Sequence, residues 1–251
     1  MAPLIAVAHG SRDPRSARTV TAVVAAIRRR RPDLDVRMCF LDLGAPSVDQ
    51  VIDAVAADGN SSAVVVPLLL GSAFHARVDL PGMIAAARRR HPYLRLAQSD
   101  VLGGDSRLTD AVRDRVAQAG GRAEDERMGV VLAAVGSSDP GANDRTRSLA
   151  AALAVGTRWV GATACFVTSA TPGVDRAIAD LRRAGAERIA IAPWFLAPGL
   201  LTDRLTRAAE ACAPEALYAD TIGPHPHLVD VALDRYQQTA SMLQRFRALT
   251  A

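Results

Sequence analysis

The chain has 251 residues, 49% of them hydrophobic and 22% charged, with a net charge of +4. That is the composition of a soluble globular chain with apolar material for one large or two small domains, and it excludes a disordered or fibrous one. Only 4% of residues are aromatic, which argues against a base-stacking nucleic-acid binder, and no apolar run approaches the roughly 20 residues of a membrane span.

No basic stretch followed by an apolar run and a small-residue cleavage site marks the N-terminus, so a cytoplasmic location is expected, with neither nucleic acid nor membrane as partner. All 30 basic residues are arginine and none is lysine. With so much alanine, this is the signature of a GC-rich genome, so residue type alone singles out no arginine. The mild positive excess suits an acidic ligand. The run Arg28–Arg31 closes a helix, where cations are favoured by the helix dipole, and reads as a solvated helix end. Cys39, Cys165 and Cys212 form no CxxC pair and no zinc spacing. The first two fall inside expected strands and read as small buried hydrophobes.

Leu4–Ala8, with Pro3 ahead, reads as a buried strand running into His9, Gly10 and Ser11. Asp13 and Pro14 then open a helix as N-cap and first-turn proline, and apolar residues at helical spacing carry it over 14–30. A second strand covers 35–41 and ends at Asp42. A helix over 46–58 starts at Pro46. Ser62–Leu70 is a continuous apolar run, as in a central parallel strand buried on both faces. A loop over 71–77 leads to a helix over 78–91. A strand over 95–101 and a helix over 105–119 follow. Strands alternating with helices in this way imply a parallel sheet covered on both faces.

Residues 120–127 are polar and aperiodic and read as a linker, after which the pattern restarts. Val135 follows His9 by 126 residues, and the same offset relates Cys165 to Cys39, Pro172 to Pro46 and Pro193 to Pro67. Further on, Asp220 and Gly223 follow Asp100 and Gly103 by 120. Such an offset indicates duplication. The expected organisation is an N-terminal half over 1–119, the linker, and a degenerate C-terminal repeat over 128–251.

The duplication allows an internal comparison. His9 becomes Val135, Asp42 becomes Thr168 and His75 becomes Leu201, while Gly10, Ser11, Asp13, Pro14, Phe40, Pro46 and Pro67 are kept. Scaffold residues persist and the three potential ligands do not. Each of the three follows a strand of the first half. In the common strand order 2-1-3-4 they share the C-terminal sheet edge, at the crevice where ligands bind. Two imidazoles and a carboxylate suit a first-row divalent metal with open positions.

Val-Ala-His-Gly-Ser-Arg-Asp-Pro, Phe-Leu-Asp-Leu with Pro46 and Ser47, and Val-Pro-Leu-Leu-Leu-Gly-Ser-Ala-Phe-His with Asp79-Leu80-Pro81 together resemble the class II tetrapyrrole chelatases, in particular the sirohydrochlorin chelatase family with its iron and cobalt forms. The resemblance extends over nearly the whole chain, as in the long, duplicated form. It implies two tandem chelatase-like three-layer αβα domains, each with a mainly parallel four-stranded sheet. It also implies insertion of Fe²⁺ or Co²⁺ into sirohydrochlorin, for siroheme or cobalamin. Ni²⁺ is a third metal that fits the donors, and no cofactor beyond the substrate metal is implied. The family usually has glutamate where Asp42 stands, one methylene longer.

On this reading His9 and His75 bind the metal and take up protons, with Asp42 as charge partner or third ligand. Histidine titrates near neutrality and can accept the two pyrrole N–H protons that leave. Ser11, Arg12, Arg15 and Arg77 lie in the same loops and are candidates for the substrate, the arginines toward its carboxylates. Phe74 and Leu80 are candidates for an apolar wall. Some family members pair two single-length chains, so a duplicated chain is expected to be a monomer with pseudo-twofold halves. A non-catalytic metal or tetrapyrrole carrier would use the same ligands. A histidine-nucleophile phosphatase is disfavoured, since Ala8 stands where its arginine would precede the histidine.

Overall fold

The structure, a computed structural model, describes residues 1–71, 79–168 and 171–249. In chain order the elements are β1 (Leu4–Ala8), α1 (Pro14–Arg30), β2 (Val36–Phe40), α2 (Val48–Ala57), β3 (Ser62–Pro67), α3 (Leu80–Arg90), β4 (Arg95–Gln98) and α4 (Ser106–Gln118). The second series is β5 (Met128–Ala134), α5 (Pro140–Ala154), β6 (Gly161–Phe166), α6 (Val174–Arg183), β7 (Arg188–Pro193), α7 (Leu200–Glu210), β8 (Leu217–Tyr218) and α8 (Pro226–Leu249). They form two four-stranded sheets, ordered β2-β1-β3-β4 and β6-β5-β7-β8. All pairings are parallel.

Each sheet is the middle of three layers. In the first, Ile5, Val7, Cys39 and Val65 face α2 and α3 through Val48, Ile52, Val55, Leu80 and Ile84. Strand alternation turns Leu4 and Ala6 to the other face, where α1 and α8 pack. Helix α1 follows from its sequence: Asp13 accepts the Arg15 N–H, Pro14 fills the first position, and Val20, Val23, Val24 and Ile27 form its buried stripe. Ile27 is fully buried, so truncating it to alanine would cost about 2–5 kcal/mol. The arginines closing α1 are more than solvated charge: Arg28 Nη2 donates to the Val36 carbonyl at 2.6 Å and Arg31 pairs with Asp33 at 2.8 Å. Cys39 and Cys165 are fully buried, and burial pushes their thiols up to about 12.

Three element boundaries shift from the sequence reading. Helix α2 starts at Val48, because Ser47 and Gln50 close a reciprocal capping box behind Pro46. Pro46 instead accepts the Phe40 N–H at 2.9 Å. Strand β3 ends at Pro67, which has no N–H to give; the apolar run continues off the ladder, with the Leu69 carbonyl accepting from Leu102 at 2.9 Å. Strand β4 ends at Gln98.

The compact units are cut differently from the repeat. One unit contains 1–103 and 224–251, the other 104–223. Helix α4, the last of the first repeat, packs on β7 and α5 of the second unit, and α8, the last of the second repeat, packs on β3, β4 and α1 of the first. The repeats have exchanged their final helices. The two exchanged helices start alike: Asp105 accepts the Arg107 N–H at 3.2 Å, and 120 residues on His225 Nδ1 accepts the His227 N–H at 3.3 Å. Residues 120–127, read as a linker from the sequence, lie inside the second unit, where Ala123 accepts the Arg158 N–H at 2.7 Å and Asp125 pairs with Arg188 at 2.5 Å.

Candidate functional site

The site edge of the first sheet is an extension of its hydrogen-bond ladder. Ala8 and Phe40 are the last paired residues of β1 and β2. Beyond them Leu41 N–H donates to the Ala8 carbonyl at 2.9 Å and Asp42 N–H to the His9 carbonyl at 3.0 Å. His9 and Asp42 thus occupy the next rung, both exposed at the C-terminal edge. Gly10 makes this approach possible. Its φ is +95°, and a Cβ there would lie 1.6 Å from the Asp42 carbonyl oxygen. On the other side β3 leaves the ladder through Leu68, whose N–H meets the Val7 carbonyl at 2.7 Å.

The remaining sequence candidates divide into three groups. His75, Phe74 and Arg77 lie outside the described residues, so the expected third ligand has no described position. Among the described residues no group of three His, Cys, Asp or Glu side chains is arranged to hold a metal. Ser11 and Arg15 have local work. The Ser11 hydroxyl accepts the Asp13 N–H at 3.0 Å, and Arg15 closes a fork on Asp13, with Nη2 at 2.6 Å from Oδ2 and Nε at 3.1 Å from Oδ1. The Arg15 side chain, then its backbone N–H, hold the Asp13 carboxyl down to about 2. This fork was not legible in the sequence and occupies a guanidinium read there as facing substrate. Arg12 is exposed, with no hydrogen-bond or ion-pair partner among the described residues. Leu80, read as a candidate wall, is fully buried in the core under α3.

The second unit repeats the scaffold and closes it on itself. Thr168 N–H donates to the Val135 carbonyl at 3.0 Å, as Asp42 does to His9, and Gly136 repeats the positive φ at +92°. Where Asp42 presents a carboxylate, the Thr168 hydroxyl turns back to the Val135 carbonyl at 2.6 Å. Asn143 clamps Ser137 from both sides, at 2.9 and 2.8 Å. Arg147 donates to the Thr171 carbonyl at 2.9 Å and lies over the Phe166 ring at 5.4 Å. The first-half counterparts of Asn143 and Arg147, at the offset of 126, are Ala17 and Thr21, too short for either contact. The equivalent edge of the second unit is satisfied internally by side chains the first lacks.

The first unit's edge carries one further residue that sequence reasoning passed over, Leu43, whose N–H donates to Asp42 Oδ1 at 2.7 Å. The available signal was its place between Asp42 and Gly44 in a short, proline-ended loop.

No helix among the described residues is long and apolar enough to cross a membrane. Comparison with known proteins gives a consistent result. The chain is 27% identical over 237 residues to the sirohydrochlorin ferrochelatase of Priestia megaterium, covering 92% of this chain and 88% of that protein. It is 26% identical over 249 residues to the sirohydrochlorin cobaltochelatase of the same organism, covering 95% of this chain and 80% of that one. The solved structure of SirB from Bacillus subtilis with Fe³⁺ matches with a TM-score of 0.83 at 27% identity, over 97% of this chain and 98% of that one. The CbiX family model matches twice, over residues 3–119 and again over 129–239. The chain belongs to the CbiX family, in a form that contains the family unit twice.

Proposed function

We propose that this chain is a metal chelatase that inserts Fe²⁺ or Co²⁺ into sirohydrochlorin, serving siroheme or cobalamin biosynthesis. The observation that carries the reading is the rung shared by His9 and Asp42. An imidazole and a carboxylate stand at the open edge of the unit that kept its ligands, in a chain that matches iron and cobalt chelatases along most of its length.

The chemistry follows from the residues. Insertion exchanges two pyrrole N–H protons for one divalent metal, so the site must deliver the metal and accept protons. His9 and His75 fill both roles: a neutral imidazole is a ligand through a nitrogen that can afterwards take a proton. Asp42 offsets the metal's charge. Oδ1 is engaged with the Leu43 N–H, and the carboxylate retains acceptor capacity for a metal or for a ligating imidazole. Few ligands with open positions allow release to the macrocycle, which a closed cage would not. Arg12 and Arg77 serve the substrate's carboxylates and Phe74 its apolar face.

The test is an anaerobic absorbance assay of sirohydrochlorin with Fe²⁺, Co²⁺ and Ni²⁺ in turn, with porphyrinoid in excess over protein. Multiple turnovers with Fe²⁺ or Co²⁺ are expected; a single stoichiometric event would mean a carrier. The protein is proposed to be a monomer, and light scattering showing a stable dimer at micromolar concentration would contradict that.

A further inference from the structure

Leu43 stands out in the loop that carries Asp42. Among the described residues it is the only non-glycine with positive φ, at 50°. It is also 47% exposed. The conformation is imposed from several sides. Leu41 and Asp42 are bonded to Ala8 and His9, Phe40 N–H closes on the Pro46 carbonyl at 2.9 Å, and the Leu43 N–H is held by Asp42 Oδ1. Gly44 presses on the Phe40 ring, where a Cβ would come within 2.8 Å. In this left-handed region a Cβ crowds the backbone, and glycine, asparagine or aspartate are tolerated best. Folding therefore gains little from a leucine at this position: its backbone is disfavoured, which offsets the burial of a side chain that is 47% exposed. The repeat adds an independent observation. At the offset of 126 the second half has Ser169, in the half where His9, Asp42 and His75 are also replaced.

We infer that Leu43 is a substrate-contacting residue, whose side chain lies against the apolar face of the tetrapyrrole and positions the ring beside the metal held at His9 and Asp42. The inference rests on the chelatase reading. A planar macrocycle with an apolar face and acidic periphery is the ligand that gives a strained, exposed leucine a use next to a metal-binding carboxylate.

Leu43→Asn tests it, because asparagine is close to leucine in size, accepts positive φ and lacks the apolar surface. Metal-free sirohydrochlorin affinity is measured by absorbance titration, Co²⁺ affinity separately, and melting temperature alongside. The variant is expected to melt no lower than the parent, to bind Co²⁺ as the parent does, and to bind sirohydrochlorin about tenfold more weakly. Leu43→Met, which keeps an apolar side chain, should restore the affinity. Parent-like sirohydrochlorin affinity in Leu43→Asn overturns the inference while leaving the chelatase reading intact. A parallel loss of Co²⁺ affinity also overturns it, since Leu43 would then act by holding Asp42. Should Leu43→Asn fail to fold, Leu43→Ala carries the same comparison. A parent protein that does not bind sirohydrochlorin sinks the chelatase reading and this inference with it.

Discussion

Gly10 and Asp42 touch through their backbones: the Cβ that Gly10 lacks would sit 1.6 Å from the Asp42 carbonyl oxygen. That contact lets the His9 and Asp42 loops share a rung. Gly10→Ala should therefore spread the two loops and also strain a φ of +95°. We expect a loss of more than about 2 kcal/mol in denaturant unfolding, with weakened Co²⁺ binding. Gly82→Ala is the matched control. It lies in the first turn of α3 with no described residue near the new Cβ, so no loss, and a gain of up to about 0.5 kcal/mol from helix propensity, is expected.

The Asp13–Arg15 fork makes a prediction in pH. Asp13 titrates at about 2 in the folded chain, below its ordinary 3.8, held down first by the Arg15 side chain and then by the Arg15 N–H. A carboxyl depressed on folding stabilises the protein fully above its unfolded value and loses that contribution as pH falls through the folded one. Asp13→Asn should thus melt lower than the parent at pH 6–7, and the gap should close as pH falls from about 4 to about 2. A gap that persists unchanged at pH 2 would show that the cap's geometry, and not its charge, is what matters.

Much of this was legible in the sequence, for physical reasons that also explain what was not. Alternating strands and amphipathic helices fix the layers because burial decides them, and Asp13-Pro14 marks the start of α1 locally. The duplication marked the candidate site, since it set residues kept in both halves apart from His9, Asp42 and His75, which the second half replaces. The exchange of α4 and α8 was hidden: both are amphipathic helices that follow equivalent strands, and periodicity does not say which sheet each one covers. The start of α2 was misplaced because Pro46 resembles a first-turn proline while Ser47 and Gln50 form the cap. The Arg15 fork depends on how a long side chain folds back over two residues, which no spacing rule encodes. The positive φ of Leu43 arises from ladder bonds on both sides of its loop and contradicts the residue's own preference.

Asp42 allows a direct test of role. Asp42→Asn removes charge and should reduce metal affinity and insertion by about ten- to a hundredfold. Asp42→Glu separates two ways of acting. Glutamate gives up the short bond to the Leu43 N–H, which aspartate makes at 2.7 Å, but gains reach toward a metal. A direct ligand should retain or gain activity with the longer side chain. A carboxylate that orients an imidazole at a fitted distance should lose it. Asp42→Asn matching the parent in both Co²⁺ affinity and turnover would remove Asp42 from the mechanism.

The exchanged helices predict how the chain responds to a cut. A protease site placed between Ala123 and Glu124, both exposed, divides the chain near its repeat boundary. One fragment then holds β1–β4 and α4, and the other β5–β8 and α8. Helix α4 covers β7 in the second unit and α8 covers β3 and β4 in the first, so each unit would consist of parts from both fragments. Separating them would uncover an apolar face on each sheet. Tyr236, buried on α8, would lose its hydroxyl bond to the Ala2 carbonyl, at 2.7 Å. In the second unit Arg113 on α4 would release the carbonyls of Ala152, Leu153 and Val155 that end α5. Exposing a helix-wide apolar face costs several kcal/mol at about 25 cal/mol per Å². The nicked protein should therefore elute from gel filtration at the size of the intact chain and show two bands only under denaturing conditions. Elution of two native particles, each near half the intact mass, would mean that the helices are not exchanged and that residues 120–127 do join independent domains.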